Sequence, residues 1–206
     1  MLVSQRPLWR LVRRRGPLRA APVALTLLLF CLVTSGLWAT PGLGHRLVAG
    51  CCAYRGWQPG LGPTVHLTGS AFLLRHDYEV VWTVAVTILV TAPLEALLGS
   101  RRTLAVMALG HLVPTVAVAV AGVSQIQRLG GGGLDVGASA IVVAAAAGLA
   151  VRSRSTAVAV WLAVAQSVGI VVQSPLATVE HLVALGIGAA MTLALSPRAP
   201  GPPSTP

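Results

Sequence analysis

Ionisable and nucleophilic side chains are scarce in this chain, and two groups of them could do chemistry. Gly137-Ala138-Ser139-Ala140 follows Asp135 closely, and Glu180-His181 opens the run Leu182-Val183-Ala184-Leu185-Gly186-Ile187-Gly188. A serine hydroxyl is a weak nucleophile until a neighbouring base accepts its proton, a role imidazole fills well near neutral pH. Ser139 with His181 is therefore a candidate catalytic dyad. The remaining polar residues have plainer readings. Asp135 is placed to cap the helix that follows it. Glu180 is expected to reach out to the membrane surface, and Glu95 to pair with Arg101 or Arg102. His111, beside Gly110 and before Pro114, is expected to make a buried structural hydrogen bond. No metal spacing is present, neither Cys-x-x-Cys nor His-Glu-x-x-His. Gly130-Gly131-Gly132-Gly133 lacks the Lys-Ser/Thr of a phosphate-binding loop. Cys31 reads as a small apolar residue, and the adjacent Cys51 and Cys52 define no disulfide framework. No metal or cofactor is expected.

The elements that must position Ser139 and His181 are membrane helices. The chain has 206 residues, of which 55% are hydrophobic and 10% charged, with a mean hydropathy of +0.79. A soluble domain carries about 25% charged residues, so much of this chain is expected to lie in lipid. Apolar runs at about 21–38, 79–98, 103–124, 136–151, 156–173 and 178–196 predict an all-α membrane protein with six transmembrane helices. In hydrocarbon the backbone must satisfy its own hydrogen bonds, which favours helix over strand even where Val and Ile are frequent. Ile141-Val142-Val143-Ala144-Ala145 lacks the alternation of a barrel strand.

Arginine orients the bundle. All fifteen basic residues are Arg. If both termini are cytoplasmic, eleven of them fall inside, and only Arg46, Arg55, Arg75 and Arg128 fall outside, as the positive-inside rule favours. The formal net charge of +10 is thus a topology signal rather than a nucleic-acid footprint, and the Arg-rich start is expected to lie against anionic lipid headgroups. Residues 1–20 form a basic cytoplasmic N-terminus, 21–196 the membrane domain, and 197–206 a Pro-rich tail expected to be disordered. The first run reads as a retained span, because Ser35-Gly36-Leu37-Trp38-Ala39-Thr40 is a poor signal-peptide cleavage site. Residues 40–78 and 125–135 are expected to be outside loops. Spans four and six then both run from outside to inside, with Ser139 and His181 at similar depth. His181, Ala184 and Gly188 share one helix face, and Ser139, Val142, Val143 and Ala146 share another, so small residues would let the two helices pack closely. Abundant Ala, Val, Gly and Arg with neither Lys nor Asn suggest a GC-rich bacterial genome, and hence the cytoplasmic membrane.

These segments resemble the rhomboid family of intramembrane serine proteases. Gly137-Ala138-Ser139-Ala140 is similar to the family's Gly-x-Ser-Gly nucleophile motif. His181, with Ala184 and Gly188 three and seven positions on, is similar to its sixth helix. Pro93-Leu94-Glu95-Ala96-Leu97-Leu98-Gly99-Ser100-Arg101-Arg102 looks like the end of its second helix, and Thr68-Gly69-Ser70-Ala71-Phe72 looks like the segment entering that helix. The resemblance implies a six-helix rhomboid-like bundle that cleaves transmembrane protein substrates near their outer ends. Ser139 would be the nucleophile and His181 the general base, with no Asp.

The chain also departs from the family pattern. Ala140 stands where the family has Gly, and Val143 where it has an aromatic residue that packs on the catalytic His. The family's oxyanion-donor His and Asn fall at about Glu79 and Thr83, and the chain contains no Asn. Losing one such donor lowers rates by about 10²–10³. Backbone N–H groups around Gly137, Ala138 and Ser139, or the side chains of Thr83 or His76, are the substitutes at hand. Two alternatives stand beside the protease. One is a rhomboid-like pseudoprotease that binds transmembrane helices without cutting them. The other is an unrelated small transporter or scaffold.

Overall fold

The computed structural model describes residues 21–52, 69, 71, 72, 74, 77–128, 139–172 and 175–196. In chain order the helices are α1 (Pro22–Ala39), α2 (Leu43–Cys52), α3 (Asp77–Val86), a π-helical turn (Thr87–Thr91), α4 (Ala92–Leu98), α5 (Ser100–Arg128), α6 (Ser139–Ser153), α7 (Thr156–Val172) and α8 (Pro175–Leu195). No strand occurs among the described residues. Three stretches, Pro22–Ala39, Val80–Leu98 and Ala177–Leu195, are long and apolar enough to cross a membrane, and Ser139–Ser153 and Thr156–Val168 are shorter apolar helices. Large apolar side chains face outward on several helices, among them Leu29, Phe30 and Val33 on α1, Ile88 and Leu89 in the π turn, and Val160 and Val164 on α7. Glu95, Glu180, His111 and His181 are buried instead. That distribution suits hydrocarbon as solvent.

α6 is the centre of the bundle. Every residue from Ala140 to Leu149 is buried, and Ala144 through Ala146 have no exposed surface at all. A helix apolar all round must be surrounded, and α5, α7, α8 and the α3–α4 span pack on it. Small residues set the approach distances. A methyl group placed on Gly110 of α5 would lie 2.2 Å from Ala144 Cβ, and one on Gly188 of α8 would lie 2.2 Å from the Ala144 carbonyl oxygen. One on Gly148 would lie 2.6 Å from Thr192 Oγ1. Backbones this close gain dispersion contacts that lipid cannot supply between bulky helices.

The second long span is not a continuous α-helix. Pro93 has no N–H, and its ring would collide with the carbonyl four residues earlier in a regular α-helix. The preceding turn widens, and the Ala92 N–H donates to the Thr87 carbonyl five residues back. The sequence reading missed this bulge.

Two further expectations are corrected. Glu95 does not pair with Arg101 or Arg102. Its two carboxylate oxygens accept the N–H groups of Val23 and Ala24, at 3.0 and 2.9 Å. The first N–H groups of a helix have no intrahelical acceptor and carry partial positive charge. Ala21 at the N-cap has no side chain to offer them, so a carboxylate from another span does so. Second, the stretch expected as loop from residue 40 contains helix α2. A turn at Thr40-Pro41-Gly42, with Gly42 at φ +105°, reverses the chain, and α2 buries Val48 beside Trp38 and Cys51 while Leu43 and Leu47 stay exposed. Its apolar face is too short to read as a span and too interrupted by His45 and Arg46 to signal a core helix.

Two stability outcomes follow. Gly188→Val is expected to cost about 1–3 kcal/mol, as overpacking does in close-packed interiors, while Gly186→Ala, with open space around it, changes little; denaturant titration in detergent micelles compares them. Glu95→Ala is expected to lower the melting temperature by stripping α1 of its acceptor, about 1–3 kcal/mol. Arg101→Gln in the same assay is expected to stay within about 0.5 kcal/mol of the parent.

Candidate active site

The register between α6 and α8 decides where Ser139 and His181 stand. Gly188 meets Ala144 and, one turn further along both helices, Thr192 meets Gly148. The two helices are therefore parallel. Ala184 joins Ala140, Val143 and Ala144 in one apolar cluster, one turn earlier. Continuing that register toward the N-termini puts His181 two residues beyond the level of Ser139, about 3 Å of helix rise. Both residues thus lie at the same end of two tightly packed parallel helices.

Their surroundings differ. Ser139 is the first residue of α6 and its side chain is exposed. His181 is buried, 5% exposed, and its Nε2 has no hydrogen-bond partner among the described residues. No hydrogen bond joins the Ser139 hydroxyl to His181 Nε2. The structure brings the helices together without closing the dyad. Gly137, Ala138 and Asp135 lie outside the described residues, as does the Glu79 side chain. Thr83 is on α3 and buried. With Thr87, Thr91 and Glu95 it forms a polar series spaced by four residues along the second span, all buried. The hydroxyls of Thr87 and Thr91 have no hydrogen-bond partner among the described residues.

Glu180 does not reach outward, as the sequence suggested, but is turned into the bundle. It is 5% exposed and packed between α8 and α5. The Thr115 hydroxyl faces two acceptors, Glu180 Oε1 at 2.6 Å and the His111 carbonyl oxygen at 2.7 Å. A carboxyl group removed from solvent needs such a partner. Thr115 follows Pro114, whose missing N–H frees a carbonyl one turn earlier and makes this part of α5 locally polar. His111 is also buried there. Sequence reasoning singled out His111 and Glu180 separately and missed Thr115, which joins their helices. The available signal was weak: Thr115 stands four residues after His111, hence on the same face of one helix.

Two aromatic residues also escaped notice. Trp82, beside Thr83, stacks on Trp161 of α7 with ring centroids 5.8 Å apart and planes 28° from parallel. Each is partly exposed on the bundle's perimeter, and tryptophan spacing alone carries no sign of such a pairing.

Among the described residues no group of three or more His, Cys, Asp or Glu is arranged to hold a metal ion. Cys31 and Cys51 are free thiols. No family model, curated protein or solved structure matches this chain.

A double-mutant cycle of Thr115→Val and Glu180→Ala, read by unfolding in micelles, is expected to return a coupling of about 0.6 kcal/mol and at most ~1.7, the span measured for hydrogen bonds between membrane helices. A coupling of zero would mean that the contact adds nothing to stability.

Proposed function

We propose that this chain is a rhomboid-type intramembrane serine endopeptidase that cleaves transmembrane protein substrates through Ser139 and His181. The observation that carries the reading is the parallel packing of α6 on α8 through Ala144 and Gly188, which keeps the two side chains at one end of the bundle. In this reading all six long helical elements cross the cytoplasmic membrane, both termini are cytoplasmic, and the dyad faces outward. The short α6 and α7 are accommodated by protein on their flanks and by local thinning of the bilayer.

The chemistry then runs as in other serine hydrolases. Ser139 Oγ attacks the scissile carbonyl while His181 Nε2 takes the hydroxyl proton. The tetrahedral oxyanion collapses, the amine leaves with the proton returned by His181, and water hydrolyses the acyl-enzyme by the same steps. Ser139 begins α6, so backbone N–H groups of that first turn lack helical acceptors and carry the positive end of the helix dipole. They are the donors best placed for the oxyanion in a chain without Asn, with Thr83 as a side-chain candidate. Catalytic hydrogen bonds are often long in an unliganded site and tighten with substrate, so the open Ser139–His181 contact fits a resting enzyme. The same openness, with Ala140 and the missing Asn, favours a second reading in which the scaffold binds transmembrane helices and does not cut them.

A fluorophosphonate probe separates the two. Detergent-solubilised protein is expected to be labelled at Ser139, and both Ser139→Ala and His181→Ala to abolish labelling, since loss of either partner removes the activated oxygen. A folded sample that takes no label would leave the binding protein as the reading.

A further inference from the structure

An apolar slot of about 400 Å³ lies between α1 and α5. Pro22 and Phe30 line one wall, and Leu104, Ala108 and Leu112 the other, with His111 beside them. Phe30 and Leu104 are more than half exposed, so the slot opens sideways to the surroundings of the bundle. It reaches the end of the molecule where α1 begins, α4 ends and α5 begins.

Two cations stand at that end. Arg101 precedes Leu104 and Ala108 by three and seven residues, so it continues their stripe on α5 by one turn. Side chains in a helix lean toward its N-terminus, which directs Arg101 away from Leu104 toward that end of the bundle. Arg102 is its neighbour, and both are exposed. Glu95 is the nearest acid in sequence, and its oxygens accept the N–H groups of Val23 and Ala24. Among the described residues neither arginine makes an ion pair. An apolar slot that opens sideways, on a stripe of α5 that continues into Arg101 with Arg102 next to it in sequence, matches a molecule with an acyl chain at one end and an anionic phosphate at the other. Guanidinium binds phosphate with two parallel hydrogen bonds.

We propose that the slot between α1 and α5 binds one anionic phospholipid, with its phosphate on Arg101 and Arg102 and an acyl chain along Leu104, Ala108 and Leu112. The site is independent of the Ser139–His181 chemistry, and its test needs no activity. A basic residue near an anionic lipid surface favours binding by about fivefold, so two arginines on one phosphate discriminate strongly against lipids of zero net charge.

Native mass spectrometry of the full chain, released from micelles containing phosphatidylglycerol or phosphatidylcholine, reads the bound lipid directly. The expected result is one retained phosphatidylglycerol, with phosphatidylcholine retained at least about fivefold less. Arg101→Gln with Arg102→Gln is expected to lower phosphatidylglycerol retention by about tenfold or more. Ala108→Phe and Leu112→Trp, which fill the slot, are expected to lower it with the arginines intact. Arg152→Gln with Arg154→Gln, exposed arginines at the α6–α7 connection, is expected to leave it unchanged. Melting curves in phosphatidylcholine micelles identify the folded variants, and either slot-filling variant suffices. Equal loss from the Arg152/Arg154 pair would show undirected charge attraction and overturn the proposal. So would undiminished retention in a folded slot-filling variant, because the acyl chain would then lie elsewhere.

Discussion

Ala144 is wedged between two glycines, and the rest of the bundle is arranged around that contact. Gly110 of α5 and Gly188 of α8 each leave room for it, where any side chain would sit 2.2 Å from an Ala144 atom. Three backbones therefore meet within reach of one methyl group. The helix that carries Ala144 is buried from Ala140 to Leu149, so its rotation and register are set by neighbours on several sides. Its register on α8 sets which residues share a level near their N-termini, and Ser139 and His181 inherit their relation from it. Close packing of small residues is a force that still acts between helices apolar enough to cross a membrane, where lipid would give no hydrophobic drive.

The ionisable residues show the cost of charge in that setting. Glu95 and Glu180 are both buried, and each has found donors on another helix. Glu95 accepts the free N–H groups of α1, so one carboxylate joins the start of the first span to the end of the second. Glu180 joins α8 to α5 through Thr115. Neither contact is an ion pair with arginine. A backbone N–H at a helix start brings positive potential without the desolvation of a guanidinium. Among the described residues, Arg46, Arg101, Arg102, Arg152 and Arg154 are exposed.

Helix locations were legible in the sequence because a long apolar run satisfies its backbone hydrogen bonds most simply as a helix. Runs at 21–38, 79–98, 103–124, 156–173 and 178–196 each coincide with helix within a few residues. α2 was not legible, since ten residues with His45 and Arg46 in their midst carry no span-length signal. The π turn at Thr87–Thr91 was hinted at only by Pro93, whose effect on the preceding turn depends on what packs there.

For the candidate site, the sequence by itself determined which side chains are able to do chemistry, and that small residues at 184 and 188 make a close face on the sixth apolar run. Those are properties of residue type and helical period. Only the tertiary structure decided who their partners are. Glu95 met α1 rather than Arg101, Glu180 turned inward to Thr115, Trp82 met Trp161, and Ala144 rather than the Ser139 face received Gly188. A periodicity states which residues share a face, whereas the rotation and register of one helix on another follow from how side-chain volumes fit at the contact, which no single segment encodes.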